Sequence, residues 1–205
     1  MIPVVCLAYF PNVFYCSWIL NQTKILFVED THFQKQTFRN RTEIHGANGI
    51  LKLTIPVEHN KTQWHQKEHE VCVSNDMNWQ KHHWKSICNA YRSSPYFEYY
   101  EPDLAPFFEK KVNRLMTFNL DVLLKIMDLI DAPLNYKLVK WNAKAHLRMD
   151  TLVNAKKDYL FQNVPYTQVF ESKNGFLRNL SILDVVFNLG PDSVAYLKTQ
   201  KVISS

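Results

Sequence analysis

Val4-Val5-Cys6-Leu7-Ala8, then Phe14-Tyr15-x-x-Trp18-Ile19, then Lys24-Ile25-Leu26-Phe27-Val28 closed by Glu29-Asp30, set the fold class of this chain. The first and third runs are short, unbroken and apolar, the pattern of strands buried on both faces. Pro11-Asn12 marks a turn between them, and the middle segment repeats its large apolar residues at helical spacing. A strand, a helix and a strand in that order predict a β-α-β unit with parallel strands. Ligands of such sheets gather beyond the carboxyl ends of the strands, which makes Asp30 a candidate binding residue. A helix cap or a salt bridge would account for the same aspartate.

Outward from this unit the pattern changes. Asn48-Gly49 separates Ile44 from Ile50-Leu51-Lys52-Leu53-Thr54-Ile55-Pro56-Val57, a strong hairpin signal with Pro56 suited to a strand end. A polar loop over 58–69 leads to a short strand, Val71-Cys72-Val73. Helical spacing follows at Trp79, His83, Ile87 and Tyr91, and Pro95 ends that segment. A second helix is expected after Asp103, and a third capped by Asn119 and closed by Asp131-Ala132-Pro133. Residues 134–175 give no clear pattern. Ser181 with Asp184 three residues on resembles a capping box, Gly190-Pro191 is a stop signal, and a short last helix starts at Asp192 or Ser193. The expected fold class is mixed α/β: an N-terminal β-α-β unit, a small sheet including a hairpin, and a mainly helical C-terminal half. No linker, repeat or low-complexity tract divides residues 1–205, so one domain is expected.

Composition narrows the functions. Hydrophobic residues make up 46% and charged residues 21%, ordinary for a folded chain of 205 residues. Only 4 glycines are present, which argues against glycine-rich phosphate loops. The net charge of +5 favours acidic ligands. Its cations are dispersed rather than banked on one module, so nucleic acid is not the expected partner. No basic region precedes the apolar N-terminal segment, and Pro11, Asn12 and Ser17 interrupt it, so neither a signal peptide nor a membrane span is expected. Cys6, Cys16, Cys72 and Cys88 form no C-x-x-C pair and read as reduced thiols. Together these features predict a cytoplasmic protein.

Several side chains could carry chemistry. His59, His65, His69 and Cys72 lie close in sequence, but loop histidines explain them more simply than a metal, and no metal site is expected. His83 falls on the buried stripe of its helix, where a polar ring is either a satisfied core residue or part of a pocket. Lys35, Arg39, Asn40 and Arg41 form the densest polar cluster, with guanidinium forks suited to carboxylate or phosphate. A solvated loop has the same composition. No nucleophile signature appears, and no cofactor is indicated.

A set of segments in fixed order resembles the WbqC-like family of bacterial proteins. They are Tyr9-Phe10-Pro11, Phe33-x-Lys35, Asn40-Arg41-x-x-Ile44, Gly49 and Leu53-Thr54-Ile55-Pro56-Val57. Asn78-Trp79-Gln80-x-x-His83-Trp84 follows, with Ala90-Tyr91-Arg92-x-Ser94-Pro95-Tyr96-Phe97-x-Tyr99-Tyr100. The last runs from Gly175-Phe176-x-x-Asn179-Leu180-Ser181-Ile182-Leu183-Asp184 to Phe187-Asn188-x-Gly190-Pro191. The resemblance implies a link to surface-polysaccharide, notably O-antigen, gene clusters. It also implies a role in adding an amino-acid or acyl group to a nucleotide-linked amino sugar; the alternative is a non-catalytic scaffold docking a protein partner. It brings no catalytic list. This chain departs at Ala8, where many relatives carry Gln before Pro, and at Arg178, where others often have Pro. These segments and the strand end supply the candidates: His83, Asn40 and Asp184 for catalysis, and Lys35, Arg41, Asp30, Asn179, Asn188 and Tyr9 for a sugar nucleotide or similar phosphorylated substrate.

Overall fold

A computed structural model describes residues 1–58, 66–156, 161–162 and 164–202. Strand β1 (Ile2–Val4) leads through helix α1 (Val13–Leu20) to β2 (Ile25–Val28), as the apolar runs predict. Helix α1 is buried on nearly every side, from Val13 to Ser17 and at Ile19. An all-round apolar helix belongs in an interior rather than at a surface. Its start is held twice: Asn12 Oδ1 accepts from the Tyr15 N–H at 2.9 Å, and Asn179 Oδ1 accepts from the Phe14 N–H at 2.9 Å.

The hairpin forms as expected. Strands β3 (Arg41–Gly46) and β4 (Gly49–Thr54) pair antiparallel in register from Arg41↔Thr54 to Gly46↔Gly49. Helix α2 (Trp79–Tyr91) buries Trp79, His83, Ile87 and Tyr91 on one stripe. The next helix begins before the position the sequence suggests. Residues Phe97–Leu104 form α3 and Ala105–Phe108 a 3-10 turn, so no single helix follows Asp103. Pro102 and Pro106 each lack the N–H that a continuous helix needs. Helix α4 (Leu115–Leu129) starts ahead of Asn119, which lies inside it, fully buried.

The unpatterned region supplies three strands and a short helix. After α4 come β5 (Tyr136–Val139) and β6 (His146–Arg148), followed by β7 (Phe161–Gln162), α5 (Glu171–Asn174), α6 (Ile182–Leu189), α7 (Ser193–Thr199) and β8 (Lys201–Val202). Strand β6 runs parallel to β1, and β5 runs parallel to β2. A parallel bridge between Val5 and Phe27 joins the two pairs, with Val5 N–H donating to Leu26 O and Val28 N–H to Val5 O, both at 3.0 Å. The strand order is therefore β6-β1-β2-β5, all parallel. Their carboxyl ends lead into Cys6, Asp30, Trp141 and Asp150. All four cysteines are free thiols. Among the described residues, no helix is long and apolar enough to cross a membrane.

Helix α6 ends at Gly190, whose φ of 52° suits glycine, and a Cβ there would lie 2.6 Å from the Tyr96 ring. Gly49 in the hairpin has φ 101° but open space around it. Gly190→Ala should therefore cost about 3 kcal/mol and Gly49→Ala about 1 kcal/mol, read from urea denaturation midpoints.

Candidate active site

The carboxyl edge of the parallel strands holds a buried ionic cluster. Arg39, only 1% exposed, places Nε 2.8 Å from Glu68 Oε1, Nη2 3.3 Å from Cys6 Sγ and Nη2 3.7 Å from Asp150 Oδ1. Arg148 at the end of β6 donates to the same Asp150 oxygen at 2.9 and 3.1 Å. Thr31 lies 3.6 Å from Cys6 through its hydroxyl, and its carbonyl accepts from the Glu68 N–H at 2.9 Å. The backbone thus fixes a carboxylate and a guanidinium against each other in the interior, where a charge left alone would be severely penalised.

Electrostatics in the cluster is uneven. Burial pushes the Glu68 carboxyl up to about 7, against the pull of Arg39 and Arg148. Burial also raises the Cys6 thiol, though Arg39 opposes it. Desolvation disfavours the Arg39 cation, but Cys6, Glu68 and Asp150 outweigh it and hold its pKa above the ordinary value. Arg39 Nη1 is buried with no hydrogen-bond partner among the described residues. Asp150 is half exposed, so the cluster meets solvent on that side.

The residues singled out from sequence divide between this edge and two other places. Asp30 ends β2 and accepts from the Trp141 N–H at 2.6 Å. Lys35 is exposed on the loop that leads into Arg39. Asn40, Arg41, Tyr9 and His83 are brought together at the open end of the hairpin. Asn40 Nδ2 donates to Ile55 O at 2.9 Å, and Arg41 pairs across the hairpin with Thr54. The Thr54 carbonyl accepts a hydrogen bond from the His83 ring, and the buried Tyr9 hydroxyl lies 2.9 Å from Nδ1. Burial lowers the His83 pKa to about 4, so the ring is neutral at physiological pH. Asn40 Oδ1 and Arg41 Nε are buried without hydrogen-bond partners among the described residues.

Asp184, Asn179 and Asn188 form the other group, around α6. Ser181 caps that helix through its hydroxyl, which accepts from the Leu183 N–H at 3.3 Å. Asp184 does not complete a capping box. It is fully buried and turns to Tyr166 and Gln168, with Gln168 Nε2 donating at 2.8 Å. Burial raises its carboxyl, while bonds from Tyr166, Gln168 and Tyr91 and the nearby His45 oppose the rise. Asn188 donates to the Asp184 carbonyl at 2.7 Å, one turn along the helix. Two of the four grouped loop residues weighed as a metal set, His59 and His65, lie outside the described residues. His69 binds the Glu29 carbonyl through Nδ1 at 2.8 Å.

Glu68, Asp150, Tyr166 and Gln168 are absent from the residues singled out by sequence. Arg39 stood in the polar cluster there, but nothing set it above Lys35, Asn40 and Arg41.

The model of the WbqC-like protein family matches residues 8–157, well over half of the chain. The chain belongs to this family. The matched span includes most of the WbqC-like chain's parallel strands and every residue of the ionic cluster except Cys6. An uncharacterised protein of Mycobacterium tuberculosis strain H37Rv, Rv1507c, is 24% identical over 219 residues, covering 93% of this chain and 94% of the relative. No solved structure matches the WbqC-like chain.

Glu68 and His83 should give opposite pH dependences of stability. Glu68 keeps its proton in the fold while the unfolded chain loses it, so stability falls as pH rises from 4.5 to about 7. His83 stays neutral in the fold while the unfolded chain gains a proton, so stability falls as pH drops from 6.5 to about 4. The two contributions nearly cancel where the windows overlap. Relative to the parent, His83→Gln should become more stable toward acid by about 1 kcal/mol per pH unit, and Glu68→Gln less stable by a similar slope. Urea denaturation across that pH range measures both.

Proposed function

We propose that this WbqC-like protein is a transferase that adds an amino-acid or acyl group to a nucleotide-linked amino sugar, acting as one domain. The carboxyl edge of the parallel strands would be its reaction site. The observation that carries this reading is Glu68, a buried carboxyl shifted to about 7 beside Arg39 at that edge. A sugar ammonium must lose a proton before its nitrogen can attack an acyl carbon, and a base titrating near neutrality suits that step. Glu68 would take the proton, the freed amine would bond to the acyl carbon, and the donor's activating group would leave with the electron pair of the bond broken there. Arg39 and Arg148 would stabilise negative charge developing on the acyl oxygen.

Lys35 and Arg41 would hold the nucleotide phosphates, and Asp30 would bind the substrate from the end of β2. Asn40 would orient the acceptor sugar from the hairpin. We assign proton transfer to Glu68 in preference to His83, whose pKa of about 4 makes it a weak base and whose ring is bound to Tyr9 and Thr54. Tyr9 and His83 then position the hairpin that carries Asn40 and Arg41. Asp184, Asn179 and Asn188 would support the site by anchoring α6 and α1. The protein's place would be surface-polysaccharide assembly on the cytoplasmic side.

One observation favours a docking role instead. Tyr136, Leu138 and Leu147 stay exposed on β5 and β6 and share one face, although parallel strands are ordinarily covered on both. A protein partner could cover them. Docking does not depend on the Glu68 proton, so one experiment separates the readings.

With sugar nucleotides bearing an amino sugar and activated acyl donors, Glu68→Gln should lower kcat at least 100-fold and leave sugar-nucleotide affinity unchanged. Lys35→Ala with Arg41→Ala should weaken that affinity about tenfold with little change in kcat. A folded Glu68→Gln protein with full activity would remove the proposed base. A parent protein that binds no sugar nucleotide would remove the substrate class.

A further inference from the structure

A cavity of about 410 Å³ lies apart from the ionic cluster, between the 106–114 segment and the first turns of α4. Its volume falls in the range of small-molecule pockets. The walls are mainly apolar, with Phe107 and Phe118 among them, and Lys110, Lys111 and Arg114 all contribute to the lining. The segment breaks off from the 3-10 turn at Glu109 and re-enters helix only at Leu115, which leaves these cations on irregular backbone beside the aromatic wall. Neither lysine ammonium has a carboxylate partner among the described residues. Arg114 is anchored by its Nη1 donating to the Glu70 carbonyl.

Among the described residues the one lining carboxylate is Asp121, whose pKa desolvation raises. Three cations against one carboxylate select negative charge, while the aromatic wall selects an apolar body. Inorganic phosphate would satisfy only the first requirement and a neutral alkane only the second. We propose that this cavity binds a phosphate ester carrying an apolar chain, with the chain against Phe107 and Phe118 and the phosphate at Lys110, Lys111 and Arg114. The site is independent of the transferase reading, because it shares no residue with the ionic cluster.

Phe118 also reports on the cavity. Its ring meets Trp79 edge-on with centroids 5.8 Å apart, so filling the pocket should change tryptophan fluorescence. Titration calorimetry and fluorescence with octyl phosphate, octanol and inorganic phosphate form the test. Octyl phosphate should bind saturably at one site, at least tenfold tighter than octanol or phosphate. The Lys110→Glu/Lys111→Glu variant should lose at least tenfold for octyl phosphate and keep its affinity for octanol. Thr117→Trp, which places a bulky ring on the cavity wall, should abolish binding of both.

No saturable binding of octyl phosphate would overturn the proposal. So would equal affinity for inorganic phosphate, or indifference to both variants when their melting temperatures match the parent's. Vesicles of phosphatidylglycerol distinguish a bilayer from a free ester. Lysine-dependent vesicle binding that octyl phosphate fails to displace would assign the cations to a membrane surface and overturn the pocket.

Discussion

A guanidinium shut away from water governs this structure. Arg39 reaches the interior from the chain that follows β2, and its positive charge must be answered there. Glu68 answers it from a distant loop, and Asp150 does so from the end of β6. Three segments remote in sequence are thereby tied over the ends of the parallel strands. The Asn119 amide on α4 secures the same point by donating to the Arg39 carbonyl at 2.7 Å. Replacing this arrangement by hydrocarbon could give a firmer core, since buried ion pairs seldom beat good apolar packing.

Much of the architecture was legible because it is local. The runs 4–8 and 25–28 are buried on both faces and so carry no polar residue to blur them. The Asn48-Gly49 pair marks the hairpin, and the stripe from Trp79 to Tyr91 marks α2. Strands β5 and β6 escaped notice for the opposite reason. They lie at the outer edges, and residues 136–138 are exposed, so no apolar run or clean alternation distinguishes them from loop. Apolar spacing after Asp103 presents one helix, but Pro106 lies just inside it and only a 3-10 turn forms there.

The candidate site was legible in part. A polar residue on an apolar stripe pointed to His83, and charge density pointed to Lys35, Arg39, Asn40 and Arg41. Glu68 gave no such sign, because it sits among polar neighbours whose local pattern is that of a surface loop. Its burial comes from the ion pair with Arg39, a tertiary event with no trace in adjacent residues. Asp184 shows the converse: its spacing from Ser181 suggests a local cap, yet its carboxylate is claimed by Tyr166 and Gln168 from outside the helix.

The pairing of β1 with β6 has a further consequence for how the chain reaches its fold. During synthesis β1 finds one neighbour, β2, almost at once, but its other neighbour, β6, is made only after α1 to α4 and β5. Contacts so distant along the chain slow folding, because loop closure must precede their reward. During synthesis one side of β1 therefore waits unsatisfied, and the ionic cluster cannot assemble until the residues around Asp150 emerge.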